Sequence, residues 1–432
     1  MNKLKVILLI AIGIGLHSCK DDCEDKEVVN PVETTPNILL IIADDMGKDA
    51  TNGFSEGSIK PTTPHIDAFK NSGLSFDNFW AYPTCSPTRS SILTGKYGYR
   101  TGVKWASDEL SQSEKSLQSY INENTNDKYA TAIAGKWHLS GSRGNFNPEV
   151  FGIDYYAGLI RGQAQSYYNW LLTEDGSGTI ESEYATTKFT DLGIDWIKKQ
   201  EKPWFMWLAY NAPHTPFHVP PAEMHNQGSL PPYSDGMEEM PYYMAAIEAM
   251  DYQIGRLLDS IPTEELENTI IIFIGDNGSP NEVAQVPYSS FTAKGSLYQG
   301  GINVPMFITG KGVSRIGDDH NLITSSDLFA TIAELAGVSV KEIHDSKSFK
   351  SLLVEPSTIR KFQYSEKDNG STDVWTISNG SHKLIEYADA DSELYNLTSD
   401  PYEQNNLLEG TLTSEDSAAK LVLEEEVARI RQ

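Results

Sequence analysis

Cysteine is scarce in this chain: three in 432 residues, at positions 19, 23 and 85. That excludes a disulfide-stapled scaffold. Positive charge is also in short supply. The 34 Lys and Arg face 60 Asp and Glu, for a formal net charge of -26. This balance argues against nucleic acid as a partner, because a phosphate backbone needs a basic face. An anionic substrate would therefore need a locally positive pocket. Long apolar runs are missing as well. The stretch 6–16, behind Lys3 and Lys5, is apolar but too short to span a bilayer as a mature helix. No internal repeat is visible.

What is present suits a large globular chain. Hydrophobic residues make up 39%, with 21 Tyr, 15 Phe and 8 Trp, enough for a sizeable core. Continuous apolar runs at 38–43, 129–134, 203–210, 269–274 and 306–309 read as buried strands of a mostly parallel sheet. Helical spacing is expected over 117–123, 186–199, 242–261 and 326–338. The texture changes near residue 340. Three short strand-like runs follow, then a closing helix over 413–431 with Thr413 or Ser414 as its cap. The predicted fold class is α/β: a large mixed, mostly parallel sheet flanked by helices, with a small C-terminal α+β subdomain of antiparallel strands and that closing helix. The expected divisions are a targeting segment at 1–19, a polar tether at 20–36, a main domain at 37–340 and the C-terminal subdomain at 341–432. Residues 141–184 are rich in Gly, Tyr, Asn and Asp and show little periodicity.

Ligands gather beyond the carboxyl ends of strands in open α/β sheets. Asp44 and Asp45 follow the first apolar run, and Asp276 and Asn277 follow the run 269–274. Together they offer four oxygen ligands, enough for Ca²⁺. Taken singly, each pair also fits an ordinary turn or cap. Lys136 and His138 close the run 129–134 and lie two apart, so an extended backbone would point both to one side. A solvated loop is the plain alternative. His214 stands in Ala212-Pro213-His214-Thr215-Pro216, just past the run 203–210. His218 follows no usable motif. Cys85-Ser86-Pro87-Thr88-Arg89 opens a helical-looking segment. Pro87 suits the first turn, the free N–H groups there favour an anion beside Cys85, and Arg89 adds a forked positive donor. The alternative is a buried Cys at a loop–helix junction, with Arg89 paired elsewhere.

Cys85-x-Pro87-x-Arg89, with Ser90-Ser91-Ile92-Leu93-Thr94-Gly95-Lys96-Tyr97 after it, resembles the signature of type I sulfatases of the alkaline-phosphatase superfamily. The Lys136-x-His138 pair, the Ala-Pro-His step at His214 and the run from Lys294 through Gly300-Gly301 to Val304-Pro305 resemble the same family, in the same order. Two departures are visible. His65 stands where Asn is usual, in a segment expected to be structural, and Gln299 stands where Glu is usual, expected behind the site. The resemblance covers roughly residues 36–408.

The resemblance implies that Cys85 is oxidised to formylglycine by a maturation enzyme. The hydrated aldehyde of that group attacks sulfur and later releases sulfate, splitting one hard step into two. It implies Ca²⁺ on Asp44, Asp45, Asp276 and Asn277, with Lys136 and Lys294 on the sulfate oxygens. It implies that Arg89 orients residue 85, that His138 assists it, and that His214 protonates the leaving alcohol, although the two histidines are open to exchange. The family's insertions line the substrate mouth, which makes Arg143, Arg161 and Tyr167 candidate contacts, and the loop around Trp105 faces the pocket.

Leu16-His17-Ser18-Cys19 resembles a bacterial lipobox, with Cys19 lipidated after cleavage. The acidic residues after it resemble the export tag of surface lipoproteins. The expected address is the outer membrane or cell surface, with the periplasm as alternative, and the membrane is met only through the lipid. Cys23 is a bystander in the tether. The expected substrate is an extracellular sulfated glycan. The competing readings are a phosphodiester or phosphonate monoester hydrolase with the same site, and a non-catalytic glycan-binding surface protein with Cys85 unmodified.

Overall fold

The computed structural model describes residues 35–144, 146–368, 370 and 373–432. The targeting segment, Cys19, Cys23 and the tether up to residue 34 lie outside the described residues.

The chain builds a ten-stranded sheet. Its strands in chain order are β1 (Asn37–Asp44), β2 (Leu74–Phe76), β3 (Ala130–Lys136), β4 (Tyr155–Leu159) and β5 (Trp170–Glu174). Then come β6 (Ser177–Glu181), β7 (Trp204–Pro213), β8 (Thr269–Gly275), β9 (Met306–Gly310) and β10 (Gly317–Asp319). The spatial order is β10-β2-β9-β8-β1-β7-β3-β4-β5-β6. The middle five, β8, β1, β7, β3 and β4, run parallel. Antiparallel strands flank them on both sides, at β9 and at β5–β6.

Central parallel strands are buried on both faces, which is why they read as unbroken apolar runs. Ile38, Leu40 and Ile42 of β1 enter one core; Leu39, Ile41 and Ala43 enter the other. β8 divides the same way, with Ile270, Ile272 and Ile274 on one side and Ile271 and Phe273 opposite. Each such buried Ile or Leu contributes about 1.5–3 kcal/mol. The helix Met240–Ser260 and the helix Ala185–Ile197 cover the second core.

The segment 141–184, aperiodic in sequence, carries β4, β5 and β6 and extends the sheet at one edge. Its strands are short. β6 faces solvent on both sides, so no burial pattern marks it.

A separate four-stranded antiparallel sheet follows: β11 (Gln363–Asp368), β12 (Asp373–Ser378), β13 (His382–Tyr387) and β14 (Glu393–Asn396). The closing helix spans Ser414–Ile430 and packs Leu423 and Val427 on it. Thr413 is its cap, in a reciprocal capping box with Asp416. β11 braces the main domain. Ser365 Oγ donates to the Ala81 carbonyl, and Lys367 Nζ donates to the Gly295 carbonyl at 2.7 Å. Both acceptors lie within a few residues of the site.

Candidate active site

The register of the parallel strands creates the site. Ala43 pairs with Gly275 and Asp44 with Pro213, so β1, β7 and β8 end level with one another. β3 ends beside them at Lys136. Asp44, Asp45, His214, Asp276, Asn277 and Lys136 therefore emerge at one edge, all from strand ends.

Cys85 enters from the other direction. It is the first residue of the helix Cys85–Thr94, all ten residues of which are buried. Thr84, the preceding cap residue, makes no side-chain cap bond. The helix start thus keeps unsatisfied N–H groups and its partial positive charge beside Cys85. Gly95 ends the helix in a left-handed conformation, φ 69°. Thr88 Oγ1 donates to the Asp276 carbonyl at 2.7 Å, and Ser86 Oγ donates to the His138 carbonyl at 2.8 Å. These two bonds pin the helix start to two strand ends.

Ligand atoms of Asp44, Asp45, Cys85 and His214 all lie within 4.8 Å of one another. Lys136 Nζ donates to Asp44 Oδ2 and sits 3.2 Å from Cys85 Sγ. Lys294 Nζ donates to Asp45 Oδ2 at 2.6 Å. His214 Nε2 is 3.6 Å from the same oxygen, and His214 Nδ1 is 2.8 Å from the Thr215 carbonyl. A carbonyl accepts only, so Nδ1 carries the proton and Nε2 turns its lone pair to the pocket. Asp45 has a left-handed backbone, φ 69°, held by its N–H donating to Asp276 Oδ1 and its carbonyl accepting from Tyr243.

Two expectations, the extended backbone at His138 and the substrate-contact role of Tyr167, are corrected by this geometry. His138 does not continue an extended backbone: its φ is 59°, left-handed, and its buried ring feels the charges of Lys136 and Arg89. Arg89 spends its fork on Asp276 Oδ2, at 3.1 and 2.8 Å, and on the Lys136 carbonyl, at 2.8 Å. Its contacts fix two groups that stand beside Cys85. Tyr167 is buried, and its hydroxyl serves the Asn211 and His214 carbonyls, each at 2.7 Å. It supports the His214 loop. His218 stacks on its ring at 3.7 Å. Arg143 is paired with Glu109. Gln299 lies behind the site, its N–H donating to Glu403 Oε2 at 2.6 Å.

The donor set fits a hard divalent cation. Asp44 Oδ1 and Asn277 Oδ1 are buried and have no hydrogen-bond partner among the described residues. Asn277 donates its amide to Asp45 Oδ1 and Gly278 O, which leaves that oxygen as a free acceptor. Buried acceptors with no donor are costly unless a cation takes them. Three carboxylates here are balanced by Arg89, Lys136 and Lys294. A divalent cation would leave the pocket positive in an otherwise acidic protein.

Electrostatics follow from burial first. Burial pushes the Cys85 thiol up to about 12, with Lys136 opposing, so the unmodified thiol is protonated at neutral pH. Burial brings His214 down to about 4 and holds His138 well below its usual range, with neighbouring cations adding to the His138 effect. Both rings are neutral at pH 7. Burial would raise Asp45, yet neighbouring cations outweigh it and hold the carboxyl low. Because His214 is neutral at pH 7, Lys294 and Lys136 carry that effect there.

Some supporting residues were not singled out from sequence. Ser279 Oγ donates to Asp49 Oδ1 at 2.6 Å and receives the Gly47 N–H, which fixes the loop after Asp45. Asp49 and Ser279 flank the acid motifs closely, a usable signal. Tyr243 is remote in sequence and had none.

A doubly covered, mostly parallel sheet with acids at its strand ends and a cysteine at a facing helix start is the alkaline-phosphatase-like arrangement expected from the motifs. The family model described as Sulfatase matches residues 36–338, and that described as N-sulphoglucosamine sulphohydrolase, C-terminal, matches residues 289–432. The chain belongs to the sulfatase family. It is 26% identical over 366 residues to the uncharacterized sulfatase YdeN of Escherichia coli, covering 71% of this chain and 63% of that one. It is 26% identical over 435 residues to an ulvan-active sulfatase of Formosa agariphila, covering 93% and 82%. The fold matches the crystal structure of Ps i-CgsB in complex with k-i-k-neocarrahexaose, with a TM-score of 0.78 at 24% identity and 92% of each chain covered. The chain thus spans less than two thirds of the length of YdeN and most of the length of the other two.

Proposed function

We propose that this protein hydrolyses sulfate esters on extracellular glycans, with Cys85 matured to formylglycine and Ca²⁺ held by Asp44, Asp45, Asp276 and Asn277. The observation that carries the reading is the cluster itself: Cys85 at an uncapped helix start, beside two carboxylates, a lysine and a histidine. When bound, the cation polarises sulfate oxygens; formylglycine, once formed, supplies a hydroxyl nucleophile in place of a thiol. Lys136 and Lys294 hold the anionic group where charge develops. Arg89 fixes Asp276 and the Lys136 carbonyl. His138 lies against residue 85's surroundings as a proton acceptor. His214 presents Nε2 to the pocket, and an anionic ester there favours the protonated ring that gives its proton to the leaving alcohol. The glycan class draws support from the ulvan-active relative, whose alignment covers 93% of this chain. Lipidation of Cys19 would tether the enzyme at the cell surface, and a formylglycine-generating enzyme is its maturation partner.

The test is sulfate release from a sulfated-glycan panel by matured, calcium-loaded enzyme. Cys85→Ala is expected to abolish release while keeping the melting temperature. Release by Cys85→Ala at the wild-type rate would sink the mechanism.

A further inference from the structure

Every arginine of the chain but one holds a carboxylate. The exception is Arg161, which has no hydrogen bond or ion pair among the described residues. In a chain with 60 acidic residues against 34 basic ones, an unclaimed guanidinium stands out. It lines a cavity of about 580 Å³, the size of a small-ligand site. The described lining contains no Asp or Glu. Gln163 and Asn169 add amide groups, and Trp170, Leu171 and Ile180 add an apolar wall. Amides, one cation and an apolar wall suit an acidic sugar.

The segment around Arg161 adjoins the site through three contacts. The Ile160 carbonyl accepts from the His138 N–H at 3.1 Å. Gly162 packs on the His138 ring so closely that a Cβ there would lie 2.2 Å from Cε1 and Nε2. Gln163 Nε2 donates to Thr215 Oγ1 at 3.2 Å, beside His214. Arg161 thus sits between two residues that touch the histidine walls of the pocket. Its guanidinium rests on Gly144, where a Cβ would come within 3.0 Å of one terminal nitrogen. Arg161 makes no described contact with Cys85, Lys136 or Lys294, so the scissile sulfate is not its ligand.

Resting on the sulfatase reading, we propose that Arg161 binds a second acidic group, a carboxylate or another sulfate, on the sugar next to the scissile ester. The forked guanidinium matches either group. The protein would then prefer multiply acidic glycans over singly sulfated ones.

Calorimetry on calcium-loaded Cys85→Ser protein, which cannot turn over, tests this with three probes. They are κ-neocarrabiose with one sulfate, its ι counterpart with two, and an unsaturated chondroitin disaccharide with one sulfate and one carboxylate. At least one doubly acidic probe should bind about tenfold tighter than the κ probe, and which one does identifies the group. Adding Arg161→Ala should erase that gap without weakening the κ probe, and Arg161→Glu should invert it. Equal affinities, no measurable binding, or an equal loss for all three probes in Arg161→Ala would overturn the proposal. Sulfate release by matured wild-type enzyme, measured separately, shows whether the sulfatase reading itself stands.

Discussion

The ammonium of Lys136 lies 3.2 Å from Sγ of Cys85 while it also donates to Asp44 Oδ2. One buried cation therefore touches both the candidate reacting residue and a candidate metal ligand. Lys136→Ala should lower kcat by about 10²–10³-fold, the usual cost of losing one donor at a developing charge. A kcat within twofold of wild type in single-turnover assays would remove Lys136 from the chemistry.

Calcium should stabilise the fold. Oxygens of Asp44 and Asn277 that accept no hydrogen bond are buried at the site, and an ion that binds only the folded state adds about 2.7 kcal/mol at a hundredfold excess over Kd. Calorimetric scans of chelated protein should show a rise in Tm on adding Ca²⁺. Asn277→Ala should shrink that rise, and a rise of equal size in the variant would place the ion elsewhere.

Gly162 has no room for a side chain, because the His138 ring fills the space. Gly162→Ala should displace that ring and lower kcat by about 10²-fold, with a small change in Tm. Wild-type turnover in this variant would mean that His138 has no part in catalysis.

Asp251 gives a pH prediction away from the candidate metal site. Its carboxylate accepts the His65 and Ile66 N–H groups at the start of the helix Pro64–Ser72. Burial raises its carboxyl from 3.8 to about 7, against the pull of those bonds. Between these values the folded state keeps a proton that the unfolded state has released. Stability should therefore fall as pH rises from about 4 to 7 and level off above, by at most about 1.4 kcal/mol per pH unit. Denaturation curves of Asp251→Asn should lose that share of the slope. An unchanged slope would show that other groups set it.

The strand-end positions of Asp44, Asp45, Asp276, Lys136 and His214 were legible because central parallel strands write themselves as apolar runs, and each motif stood at the end of one. The closing helix was legible from Thr413 and its acidic first turn. The strands β4 to β6 were not: each has only five residues, and β6, at the sheet edge and exposed along its length, carries no burial pattern. Lys136 and His138 share a pocket for a reason the spacing did not supply: the left-handed turn at His138 depends on Ile160 and Gly162, which come from a distant segment. Tyr167 was a candidate substrate contact because the family's insertions line the substrate mouth. Only packing shows that its hydroxyl is taken up by the Asn211 and His214 carbonyls.

This pocket is expected to cleave sulfate esters. The most direct measurement is kcat/KM of matured, calcium-loaded enzyme on a sulfated glycan and on its matched phosphodiester, with Cys85→Ala alongside. The sulfate ester should be preferred by several orders of magnitude, and the variant should be inactive on both. Preference for the phosphodiester would contradict this, leaving the fold and the cluster around Cys85 in place but assigning them to another ester.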